Sequence, residues 1–187
     1  SSLKFAGTAL TRAVYTQQAA GGNDNICEIF YMVDPPTTLG TINGTWSVSN
    51  FDRALLGMNF TGVDTTVFDA FGTRNSSGSV FAGTVTSVND NDWAILGFTT
   101  DNVNQAMSSS AGWTEVLDAE SLLAITVWGG YLGPKTPAGA ITYAGTNTDF
   151  AQEGEWSLTA MTLVPTQAGG GGGGAVSGGH LPLMFVG

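Results

Sequence analysis

Cysteine, histidine and charge are all scarce in this sequence, and it has no long apolar run. The one cysteine, Cys27, rules out a disulfide within the chain; set between Ile26 and Glu28 in an apolar stretch, it reads as a small buried side chain. The one histidine, His180, lies in a glycine-rich region far in sequence from any candidate nucleophile, which leaves a Ser-His-Asp or Cys-His site without support. A single Cys and a single His also fall short of the ligand set that zinc takes. Charged side chains make up 11% of the chain, against about a quarter in typical soluble domains. Five basic against fifteen acidic residues give a net charge of -10, which repels phosphate backbones, so nucleic acid is not expected as a partner. No apolar stretch reaches the roughly 18 residues of a membrane span, and no signal-peptide pattern is visible. A membrane is not expected as a partner either.

What is present is Gly, Ser, Thr and Asn between short apolar alternations. Thr and Val favour pleated backbone, while Gly and Asn tolerate the positive φ of tight turns. Apolar and small polar residues alternate over 3–5, 10–16, 26–33, 41–49, 54–60, 79–88, 93–99, 113–117, 122–128, 140–143 and 156–164, and each stretch reads as a strand. Turn chemistry separates them at residues 21–25, 34–36, 75–78 and 89–92. The expected fold is all-β, an antiparallel two-sheet β-sandwich of jelly-roll-like form, with one domain over 1–165 and a Gly-rich tail over 166–187. The runs Leu55–Phe60 and Ala94–Phe98 are apolar at nearly every position, which implies cover on both faces. Phe30, Met32, Leu56, Met58, Phe60, Ile95, Trp128 and Trp156 form the expected core. Residues 101–109 carry a weak helical signal that a loop would satisfy equally.

Chemistry-bearing groups are sparse. Glycosidases use two carboxylates across a cleft, and the nearest pairs, Glu153 with Glu155 and Asp64 with Asp69, lack the E-x-D-x-x-E strand pattern of glucanases. Asn89-Asp90-Asn91-Asp92 supplies oxygen ligands of the kind calcium takes, but without the spaced ligands and final Glu of an EF-hand it reads first as a hairpin turn. Sequons at Asn43, Asn59 and Asn75 arise readily by chance in so Ser/Thr-rich a chain. The five tryptophans, Trp46, Trp93, Trp113, Trp128 and Trp156, suit the space between sheets, with a sugar-stacking platform as the alternative. Gly169–Gly174 lacks the Lys-Ser/Thr of a phosphate loop. No catalytic residue, metal or cofactor is expected, and the chain reads as non-enzymatic.

The tail carries the most distinctive pattern. Six glycines form a tether of high ordering entropy, and beyond them Leu181-Pro182-Leu183-Met184-Phe185-Val186 is strongly apolar. Such a tip is expected to dock as an extended segment, more on a neighbouring chain than on its own domain, through Leu181, Leu183, Met184, Phe185 and Val186. Pro182 has no N–H, so pairing there should be one-sided or interrupted.

Four segments, Phe5–Arg12, Glu28–Pro36, Asn59–Thr66 and Trp156–Pro165, together resemble a family of β-sandwich modules found in phage virion proteins and in large bacterial surface proteins. The resemblance spans about Leu3 to Pro165 and implies a sandwich without a catalytic signature. Members of that family carry another strand or two ahead of the segment matching Phe5–Arg12; their lack here implies an open edge or groove that Leu181–Val186 is placed to cover. The function it implies is that of a virion structural protein, a capsid decoration or fibre component, located on a virion surface or outside the cell. Its expected partners are copies of itself and a capsid or other particle protein. The alternatives are a subunit of an extracellular filament or surface layer, and a secreted carbohydrate-binding module with a glycan ligand.

Overall fold

The computed structural model describes residues 1–20, 23–37, 40–46, 54–64, 68, 71–77, 80–100, 112–120, 125–146, 155–166 and 179–186. Among these the regular structure is all strand: β1 (Ser2–Phe5), β2 (Thr8–Ala9), β3 (Thr11–Ala20), β4 (Asn23–Tyr31), β5 (Ile42–Thr45), β6 (Leu55–Val63) and β7 (Phe71–Ser77). The second half supplies β8 (Val80–Thr86), β9 (Asp92–Thr100), β10 (Thr114–Glu120), β11 (Thr126–Lys135), β12 (Ala140–Thr146), β13 (Glu155–Leu163) and β14 (Gly179–Val186). They pair antiparallel in four sheets, ordered β2-β1-β5, β3-β4-β14-β6, β10-β11-β9-β13-β7 and β12-β8. The all-β, antiparallel expectation is met at that level, with four sheets where the strand count implied two. Residues 101–109, with their weak helical signal, lie outside the described residues.

Alternation of side chains along β9 and β13 shows how the sheets stack. Leu96, Phe98, Trp156 and Leu158 belong to a cluster with Phe81, Val85, Ile141 and Tyr143 of the two-stranded ribbon. Their odd-numbered neighbours Ile95, Met161 and Leu163 instead join Val14, Ile29, Leu56 and Met58 of the four-stranded sheet. Successive residues of a strand face opposite ways, so the five-stranded sheet is covered on both faces. A third cluster joins Phe30 and Met32 to Leu3 and Leu10, which places the small β2-β1-β5 sheet on the outer side of β4.

This stacking accounts for the run Ala94–Phe98, buried at every position. It also corrects the reading of Leu55–Phe60. Burial along β6 alternates, with Leu56 and Met58 buried and Leu55 40% exposed. The reason is facing: Leu56, Met58 and Val63 belong to the cluster shared with the central sheet, while Leu55, Gly57 and Asn59 alternate away from it. Seven of the eight expected core residues are buried; Phe60 is half-buried, edge-on to Tyr131 at 6.2 Å.

Two further segments differ from the sequence reading. Residues 75–77, expected in a turn, are strand, because β13 pairs with β7 through Ser157↔Asn75, Trp156↔Ser76 and Glu155↔Ser77. The strand expected over 122–128 starts at Thr126 and runs on to Lys135 through Gly129 and Gly130. Those glycines answer to close approach rather than to a turn. A Cβ on Gly129 would overlap Cδ2 of Leu56, and one on Gly130 would lie 2.7 Å from the Thr114 carbonyl oxygen.

Candidate functional site

The position that sets this fold apart lies between β4 and β6. These strands do not pair with each other; β14, distant from both in sequence, lies between them. Leu183, Met184, Phe185 and Val186 have Cα partners on both sides: Tyr31, Phe30, Ile29 and Glu28 on β4, and Met58, Gly57, Leu56 and Leu55 on β6. Residues 179–182 have partners on β6 alone, with Leu181 opposite Phe60 and Pro182 opposite Asn59. Pro182, which has no N–H to donate, thus sits where the strand has one neighbour. In the single chain the expected docking segment therefore pairs with its own sheet.

The far end of this ladder is built by a bulge. Gly179 pairs with Val63 and His180 with Thr61, so Gly62 is the extra residue, and its φ of +73° lies in the region that favours glycine. The Gly62 carbonyl oxygen accepts hydrogen bonds from the Thr166 N–H at 2.9 Å and the Thr166 hydroxyl at 3.1 Å. Asp64 N–H donates to the Val164 carbonyl at 2.8 Å, and Val63 bridges Pro165. Both ends of the segment 166–179 are thereby fixed at one residue of β6, Val63, on its two flanks. Gly62 and Thr166 were not singled out as site residues from the sequence. An isolated Gly in the strand pattern Phe60-Thr61-Gly62-Val63 was the available signal for the bulge.

Beside the inner part of this ladder, opposite Val186, lies Glu28, which is 2% exposed. Its carboxylate accepts from Arg12 at 3.1 Å and from the Ser1 hydroxyl, so a buried charge on the strand that receives β14 is paired. At the other end of β4, polar groups join the sheets. Ser157 Oγ donates to the Asn25 carbonyl at 3.0 Å, and Asn25 Nδ2 donates to the Glu155 carbonyl at 3.0 Å. Cys27 is buried here, its sulfur 3.1 Å from Thr159 Oγ1, and burial pushes its thiol up to about 12 despite that hydrogen bond.

The other sequence candidates have structural employment. In the 89–92 turn, Asp90 Oδ1 accepts from Ala138 N–H at 2.7 Å and Asn91 Oδ1 accepts from the Thr136 hydroxyl at 2.7 Å. Asp92 Oδ2 accepts from Asn89 N–H at 3.3 Å, and Asn91 has a φ of +70°. These oxygens join the β8–β9 corner to the β11–β12 corner. Among the described residues no group of three or more His, Cys, Asp or Glu side chains could hold a metal ion. Glu153 and Asp69 lie outside the described residues, while Glu155 begins β13 and Asp64 follows β6. Neither carboxylate pair therefore falls wholly within the described residues.

Trp113, Trp128 and Trp156 are buried in the aromatic cluster, and Trp46 packs against the small-sheet cluster. Trp93 is half-buried, 5.7 Å from Tyr131, at a cleft of about 350 Å³ lined by Phe60, Gly62, Val63, Leu163 and Pro165 with it. Comparison of the chain with protein-family models, curated proteins and solved structures finds no match.

Proposed function

We propose that this chain is a non-enzymatic structural protein of a virion surface, a capsid decoration or fibre component, working as an antiparallel β-sandwich module of jelly-roll-like form. The five- and four-stranded sheets, which share one apolar cluster, are the two sheets of that sandwich. The observation that carries the reading is the inner position of β14. A sheet whose inner strand arrives last, on a glycine-rich connection, is suited to completion during assembly, because its two acceptor edges recognise any extended apolar segment of the right register. The acidic excess suits a protein that must stay soluble at high local density. The sequence resemblance to virion modules supplies the setting. A second reading, a carbohydrate-binding module, draws on the half-buried Trp93 at its cleft, since sugars stack on such rings.

Particle purification from the native source tests the proposal. The chain is expected to co-sediment with nucleic-acid-filled capsids. Long filaments free of nucleic acid would replace the virion with a filament or surface layer. A monomer retained on glycan resin, and released by Trp93→Ala, would replace both with the carbohydrate module.

A further inference from the structure

We infer that the strand position between β4 and β6 takes the 179–186 segment of a second copy of this chain as well as its own, so that copies join by exchanging β14. This rests on the reading of the protein as an assembly subunit and names the contact that would join its copies.

The ladders to β4 and β6 are backbone pairings, and nothing in them depends on which chain the inner strand belongs to. The connection decides. Pro165 and Gly179 flank Val63 on opposite sides, so the two ends of the connection lie roughly 10 Å apart at the usual strand spacing of about 4.8 Å. Residues 167–178 join them, and a dozen or so residues extend to roughly 40 Å. The sequence between the strands is therefore several times longer than pairing within the chain needs, and it reaches an adjoining copy.

Concentration selects the outcome. A glycine-rich connection of this length has a root-mean-square span of about 20 Å, which corresponds to an effective concentration in the millimolar range. In dilute solution each chain fills its own sheet. Where copies are packed at millimolar density or above, the neighbour's strand competes on equal terms. A copy whose strand has left presents the facing edges of β4 and β6, and these take the next strand, so the exchange closes as a ring or runs on as a line.

A disulfide across the β6–β14 ladder reads this directly. Gly57 is the Cα partner of Met184, and a Cβ at Gly57 meets nothing within 4 Å. Directly opposed residues of antiparallel strands suit a disulfide. With Cys27→Ser in every chain, one chain carries Gly57→Cys and another Met184→Cys. A control chain carries both and should close its own disulfide in dilute solution. The mixture should form an interchain disulfide whose yield climbs roughly tenfold or more between about 10 µM and about 1 mM. A Gly57→Cys chain truncated after Thr166 has no strand of its own and should capture the Met184→Cys chain at far lower concentration. Closure of the control with no interchain bond in either mixture would overturn the exchange; failure of the control as well would overturn the register itself. Normal co-sedimentation with particles alongside absent interchain bonds would reject the exchange while leaving the assembly reading in place.

Discussion

The two covers of the central sheet are made in different ways. On one face, β8 and β12 continue β9 and β11: the pair β9–β11 of the central sheet bends over at residues 87–91 and 136–139 and becomes the pair β8–β12. Ser87 and Gly139 exchange backbone and hydroxyl hydrogen bonds of 3.0 to 3.2 Å at that bend. This cover pairs two distant segments, β8 and β12, each the direct continuation of a central strand, and it closes on rings: Phe81 on Phe98 at 4.4 Å and Trp128 on Tyr143 at 4.8 Å. On the other face, the four-stranded sheet gathers β3 and β4, then β6, then β14, and meets the central sheet through Val, Ile, Leu and Met. One cover continues two central strands and is aromatic. The other is assembled from distant segments, and its inner strand comes last. Because ordering the glycine-rich connection ahead of β14 costs chain entropy, the second cover is the one expected to open first.

The largest expected effect lies on the aromatic side. Trp128 is fully buried, and its indole N–H donates to Glu115 at 3.0 Å. Trp128→Ala should cost about 3 to 5 kcal/mol in denaturant unfolding. Phe60→Ala, at a half-buried position on the other side, should cost about 1 kcal/mol. Equal losses at the two sites would erase the energetic difference between the covers.

An intermediate effect is expected where the four-stranded sheet touches the central one. Leu56 occupies the space that a side chain at Gly129 would need. Gly129→Ala should therefore destabilise by about 1 to 3 kcal/mol, and its cost should be smaller in a Leu56→Ala background, so that the double variant loses less than the sum of the two. Additive losses in the double variant would show that the two sheets do not meet there.

A further effect, confined to alkaline pH, is a pH dependence at Cys27. Its thiol stays neutral in the fold up to about 12, against an ordinary value of 9.0, because burial penalises the thiolate. The unfolded chain ionises first, so this contribution is complete below pH 9 and is lost as pH rises toward 12. The slope approaches about 1.4 kcal/mol per pH unit. Buried Tyr143, whose hydroxyl is also shifted upward by burial and by Asp118 and Glu115, adds a similar alkaline loss. The difference between the parent and Cys27→Ala isolates the thiol; parallel pH curves would place Cys27 in contact with water.

The central sheet is the more legible from sequence. Trp128, Trp156 and the unbroken run Ala94–Phe98 mark strands whose faces are both filled, and that pattern needs no knowledge of distant partners. Legibility fails where tertiary pairing overrides composition. Asn75-Ser76-Ser77 has the residues of a turn, and it is strand because β13 supplies a ladder. Leu55–Phe60 has the residues of a doubly covered strand, yet only its even-numbered side chains meet the central sheet. For 179–186 the apolar pattern marks a docking segment, but its place between β4 and β6 depends on the Gly62 bulge, and one glycine does not encode a register.

Hydrogen exchange on the full chain and on a chain truncated after Thr166 tests most directly the claim that β14 completes one cover and leaves the other independent. Truncation should strip protection from the backbone N–H groups of 28–31 and 55–60 by orders of magnitude while 96–98 and 127–130 keep theirs. Unchanged protection over 28–31 and 55–60, or loss spread evenly across the central sheet, would contradict it.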